Sequence, residues 1–152
     1  MRTAVPIAVF LVSSLAASPV CASASDPNPP DLQSIVALEA RADQAQPREQ
    51  CFLYAEVVQQ MTELSIHQYE AGDVTNAAGV LKQIQQITQK IHSSLANNDK
   101  RLKNAELLLG HTAFRLTEML HASSIQDRAL VQETLTHVTD AKNATMMQVF
   151  RQ

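Results

Sequence analysis

A chain of 152 residues with 12 Lys and Arg against 15 Asp and Glu is mildly acidic, with a formal charge of −3. That balance excludes a general nucleic-acid binder, which needs a basic face to neutralise phosphates. Aromatic residues at 4%, with no tryptophan, also leave little material for stacking on bases or sugars. Ala, Leu and Gln are the commonest residues, and the β-branched and aromatic residues never alternate with polar ones over a strand length, so the expected fold class is all-α.

The chain opens like an export signal. Arg2 precedes the apolar run "IAVFLVSSLAA" (Ile7 to Ala17), and "SPVCASA" then supplies the small residues a signal peptidase requires. Cleavage is expected after Ala24, with Ala22 as the alternative. The run is shorter than the roughly 20 residues of a membrane span, and no second one follows, so no transmembrane anchor is expected in the mature chain. "SPV" fits a lipoprotein signal poorly, so Cys21 is expected to leave with the signal peptide (1–24). A polar, proline-rich leader, "SDPNPP" (25–30), is expected to be disordered, and 31–152 reads as a single helical domain. The expected destination is periplasmic or secreted.

Asp31 caps a first helix of about 31–45, with Leu32, Ile35, Val36 and Ala42 as a thin apolar stripe. Pro47 suits the first position of a second helix reaching about Ala71, because its missing N–H has no partner there in any case. Gly72 and Asp73 stop one helix and cap the next, and "SIQD" (Ser124 to Asp127) is a capping-box pattern for a last helix ending near Val149.

Between Asp73 and Ala122 two architectures fit. Alternating steps of four and three from Ala77 to Met119 give thirteen positions, ten of them apolar, with no slip of phase. This favours antiparallel hairpins built on one long central helix (about 73–121), about 75 Å at 1.5 Å per residue, with Asn98 in its seam as a register-setting polar residue. The alternative is a four-helix bundle, with the chain turning at "NND" (Asn97 to Asp99), three poor helix formers. Lys100, Arg101 and Lys103 bear on the choice, since cations are unfavourable at a helix N-terminus and neutral in mid-helix.

"AEVVQQMT" (Ala55 to Thr62) and "AELLLGHT" (Ala105 to Thr112) share a pattern, which hints that two hairpins are related. "YEAGDVTNAAGVLKQI" (Tyr69 to Ile84) resembles the hairpin corner of a tetratricopeptide repeat through Gly72, Asp73, Ala77, Leu81 and Ile84. Gln68 and Gln89 depart from that pattern, and the resemblance implies packing rather than a ligand. Through "EQCFLY" (Glu49 to Tyr54), "AGD" (Ala71 to Asp73) and "KRLKNAELLL" (Lys100 to Leu109), the chain also resembles a set of small exported bacterial all-helical proteins. That resemblance implies a compartment and a fold class, and no site residues.

Three Glu/His pairs at helical spacing invite comparison with carboxylate-bridged metal bundles: Glu63 with His67, Glu118 with His121, and Glu133 with His137. Only the second has the i, i+3 spacing, and Glu63 and His67 share the wet side of their helix with Glu56, Gln59, Gln60 and Glu70, so no metal site is assigned and no cofactor is implied. Leu107, His111, Phe114, Arg115, Glu118 and His121 form a second face on the 100–122 segment, read either as a helix flank touching the last helix or as a partner surface. No nucleophile with its base and orienting group can be assembled from spacing, so the chain is not expected to be an enzyme.

Cys51 is the one thiol expected in the mature chain, placed on the apolar side of its helix. It reads first as a buried, inert side chain, with an intermolecular disulfide or a reactive thiol as alternatives. The expectation is a non-catalytic exported helical interaction or scaffold module, acting as a homodimer or on an envelope protein partner. The alternative is a small-ligand or metal-responsive bundle using His111, Glu118 and His121.

Overall fold

A computed structural model describes residues 29–95 and 101–151, which are all-α. Five helices follow in order: α1 (Leu32–Gln44), α2 (Pro47–Glu70), α3 (Val74–Ser94), α4 (Leu102–Ala122) and α5 (Arg128–Val149). The expected signal peptide, Cys21, most of the leader, the turn at Asn97 to Asp99, and Lys100 lie outside the described residues.

The helix ends follow the local chemistry. The Asp31 carboxylate accepts from the Gln33 N–H at 3.0 Å, satisfying one of the unpaired donors of the first turn. At the end of α2, Gly72 adopts φ +82°. The Asp73 N–H reaches back to the Gln68 carbonyl and the Gly72 N–H to the Tyr69 carbonyl, the paired bonds of a Schellman cap. Space around Gly72 is open, so a Gly72→Ala change meets no clash and loses only through its left-handed backbone. We expect it to cost about 1 kcal/mol in a denaturant titration. The Ser124–Asp127 turn joins its two side chains at 2.6 Å, and the Asp127 N–H returns to Ser124 Oγ at 3.3 Å. Tyr69 clamps this turn from α2: its hydroxyl accepts from the Ser124 N–H and donates to Asp127, which ties the two hairpin ends together.

The four longer helices form a bundle of two antiparallel hairpins, α2–α3 and α4–α5, laid side by side. Ser65 bonds the Ala77 carbonyl within the first hairpin, and Gly110 lies against Lys142 in the second. Between the hairpins α2 runs parallel to α4, since Phe52 meets Arg101 and Glu63 meets Arg115. Gln85 and Thr134 join α3 and α5. Helices α3 and α4 make no contact and occupy opposite corners.

This arrangement corrects the favoured long central helix and realises the bundle alternative. Helix α3 ends at Ser94, α4 starts at Leu102, and α3 runs antiparallel to α2 while α4 runs parallel to it, so the two are not halves of one straight helix. Arg101, at the N-cap of α4, has φ 63°, and its guanidinium stacks 3.4 Å from the centroid of the Phe52 ring. The helix therefore does begin among cations, with a cation–π contact holding one of them. The apolar seam is nonetheless real: all twelve of its described members, from Ala77 to Met119, are buried.

One continuous core runs through the molecule. Helix α2 is buried on nearly every side because α3 and α4 cover its inner faces and α1 its outer one. The buried hydroxyls of Thr62, Thr112, Thr134 and Thr145 each donate to the carbonyl four residues back, so they enter the core without an unmet donor. Ala55 and Ala105, equivalent in the two similar octapeptides, are both fully buried, and so nearly are Thr62 and Thr112.

Candidate functional site

Helix α4 presents its inner face, from Leu102 through Leu109 to Met119, to the core. Directly opposite runs an outer stripe of Lys103, Leu107, His111, Phe114, Glu118 and His121, all exposed. Leu107 and Phe114 are 61% and 60% exposed, on a rigid helix with no segment of the described chain over them. Five of the six residues expected to form a second face thus share this stripe. The exception is Arg115.

Arg115 is turned toward α2. Its Nε and Nη2 bond the two carboxylate oxygens of Glu63 at 2.9 and 3.0 Å, a two-pronged contact, and Nη1 bonds Glu118 at 2.6 Å. Hydrogen bonds to Glu63 first, and to Glu118 second, push the already high Arg115 pKa further up, so its charge is permanent. The residue is a brace between the hairpins rather than a free contact point. Spacing within one helix revealed the Arg115–Glu118 pair but not Glu63, which is far away in sequence. Spacing places Glu63 on the wet face of α2, whereas its carboxylate is taken up by Arg115.

The His and Glu pairs do not assemble a centre. Among the described residues no three His, Cys, Asp or Glu side chains are grouped to hold a metal ion, and this includes His111, Glu118 and His121. On either side of the outer stripe run shallow grooves. One, toward α5, is lined by Ala113, Phe114, Thr117, Leu135 and Thr139, and the other, toward α2, by Ile66, Tyr69, Arg115 and Met119. Both are surface furrows between neighbouring helices.

Cys51 is fully buried near the start of α2. Burial raises its pKa to about 11, outweighing the opposing hydrogen bonds of the Thr145 and Ser94 hydroxyls. The thiol is held protonated and out of reach of another molecule, the opposite of what a nucleophile or an intermolecular disulfide needs. We expect iodoacetamide at pH 8 to leave Cys51 unmodified in the native protein and to alkylate it fully in 6 M guanidinium, read by intact mass. Because the folded pKa is raised, the neutral thiol's contribution to stability is whole below about pH 9 and declines as pH rises toward 11.

A second polar cluster fastens α1. Lys90 on α3 donates to Glu39 and Asp43 at 2.9 Å each, and the Tyr54 hydroxyl donates to Asp43 at 2.7 Å. These bonds, that of Lys90 first, hold the Asp43 carboxyl below the usual carboxylate range. Burial and Asp43 together push the Tyr54 phenol up to about 12.

The fold and the outer stripe define a small all-α bundle, two parallel-laid hairpins with an extra helix strapped across α2. Comparison with protein-family models, with curated proteins and with solved structures finds no match for this chain. Among the described residues no helix is long and apolar enough to cross a membrane.

Proposed function

We propose that this chain is a non-catalytic exported helical interaction module of the bacterial cell envelope, working through the outer face of α4 as a self-associating or partner-binding surface. The observation that carries this reading is the pair Leu107 and Phe114, two large apolar side chains about two turns apart, both mostly exposed at mid-helix on a braced scaffold. Water-facing side chains of this size, flanked by Lys, His and Glu, suit a contact with an apolar centre and a polar rim. The export signal at the start of the sequence supports an extracytoplasmic setting.

The test is crosslinking in the envelope followed by capture of the tagged protein, together with light scattering on the purified chain. Specific crosslinks through α4, or a dimer in solution, support the proposal. A compact monomer that captures no envelope protein and no second copy removes its support.

A further inference from the structure

We infer that the partner for the outer face of α4 is a second copy of the same helix, docked antiparallel across a two-fold axis passing between Gly110 and His111. The inference rests on the interaction reading above and deepens it. From Lys103 to Glu118 the order along the stripe is Lys103, Leu107, His111, Phe114, Glu118, which is cationic, apolar, imidazole, apolar, anionic, with His121 one turn beyond Glu118. Reversing the helix about that point sets position 107 opposite 114 and position 103 opposite 118. Each copy therefore brings Leu107 against Phe114 of the other, and Lys103 against Glu118 of the other, twice by symmetry. A two-fold interface must be complementary to itself, and a stripe with apolar residues on either side of His111 and opposite charges beyond them meets that condition in the antiparallel sense alone. A parallel pairing would stack Lys103 on Lys103 and Glu118 on Glu118.

The surroundings fit. Lys103 has no ion pair among the described residues, so its charge is available to the other copy. Glu118 uses one oxygen on Arg115 and keeps the other for a second cation. From Lys103 to Glu118 the stripe is about 22 Å long at 1.5 Å per residue. One helix face of that length buries less than the roughly 1,200 Å² typical of a stable complex, so the dimer is reversible, with a dissociation constant in the micromolar range or weaker.

Sedimentation velocity on the purified protein from 1 μM to 1 mM tests this. Wild type is expected to shift from monomer to dimer across the range, and more weakly at 0.5 M NaCl. Lys103→Glu sets like charges at both ends and weakens the dimer by about tenfold, as does Glu118→Lys, while Lys103→Glu with Glu118→Lys restores it to within about threefold of wild type. Arg115 stays anchored by Glu63 throughout. Leu107→Ala with Phe114→Ala abolishes the dimer, and Lys103, Leu107 and Phe114 are exposed and outside the ion pairs, so thermal melts of Lys103→Glu and of the double alanine variant should match wild type, whereas Glu118→Lys also loses the Arg115 pair and melts slightly lower. A monomer at every concentration overturns the inference, and so does a dimer indifferent to these changes or one that the double charge swap fails to restore. A monomer that still crosslinks to an envelope protein through α4 removes the second copy but keeps the interaction module. A monomer with no crosslinks removes both.

Discussion

Leu116→Ala is expected to lower the unfolding free energy by about 3 kcal/mol, whereas Leu107→Ala, the same change nine residues earlier on the same helix, changes monomer stability by less than about 0.5 kcal/mol. Leu116 is completely buried in the core shared by both hairpins, and Leu107 stands in water on the opposite side of α4. Removing the first leaves a cavity as well as losing the transfer energy of the side chain, and a rigid four-helix arrangement collapses poorly around such a gap. In a domain of this size the loss corresponds to a fall in melting temperature on the order of 10 °C. Paired thermal and urea unfolding of the two variants, at low micromolar concentration where self-association is absent, reads the contrast directly. Equal effects at the two positions would mean that α4 is not oriented with Leu109 and Leu116 inward.

The helix boundaries were legible because they depend on neighbours in sequence. Asp31, Pro47, Gly72 with Asp73, and Ser124 with Asp127 each act within four or five residues, and each marks the end of an element. The seam from Ala77 to Met119 was also legible, residue for residue, but its continuity was misleading. Any two amphipathic helices each carry a stripe with the same step, and the stretch between α3 and α4 happens to keep their phases aligned. Periodicity reports which face is buried, and it is silent on whether the axis continues. The favourable contact of Arg101 with Phe52 offsets the misplaced charge that argued for one long helix, and nothing in local sequence announces a ring forty-nine positions away.

Long-range polar pairs were illegible for the same reason. Glu63 with Arg115 and Lys90 with Glu39 and Asp43 join separate helices, and Tyr69 with Ser124 and Asp127 joins α2 to the α4–α5 turn. The deep burial of α2 leaves little local signal, since a helix covered from three directions shows little amphipathic contrast. Its outer cover, α1, also looked too thin in apolar residues to predict where it would dock. By contrast, most of the candidate face of α4 could be seen in advance. It lies on one helix and consists of large apolar residues where the period demands polar ones, a local conflict that spacing alone exposes.

The strap formed by α1 has the weakest hold in the molecule, and Lys90→Glu is expected to release it while the four-helix bundle stays folded. Helix α1 contributes only Ile35 and Ala42 as fully buried side chains, while Leu32 and Val36 remain mostly in water, so apolar burial alone docks it marginally. Leu38 and Ala45 add partly buried contacts and Tyr54 a hydrogen bond to Asp43, while Lys90 neutralises two carboxylates that lie together on α1. Reversing its charge removes both attractions and adds two repulsions. For partly solvated groups each of these is worth a few tenths of a kcal/mol to about 1 kcal/mol, on the order of 2 kcal/mol in sum. Against a single short helix docked through few contacts, that sum decides occupancy. Hydrogen exchange should show α1 amides losing protection while those of α3 and α4 keep theirs, and trypsin should gain access at the exposed Arg41. Lowering the pH should act in the same direction. The Asp43 pKa is depressed in the folded state, so its contribution is fully present above about pH 4 and is lost as pH falls through the folded value. Continued protection of α1 in Lys90→Glu at neutral pH would show that its apolar contacts and the Tyr54–Asp43 bond suffice to hold the strap and that the ion pairs only decorate it.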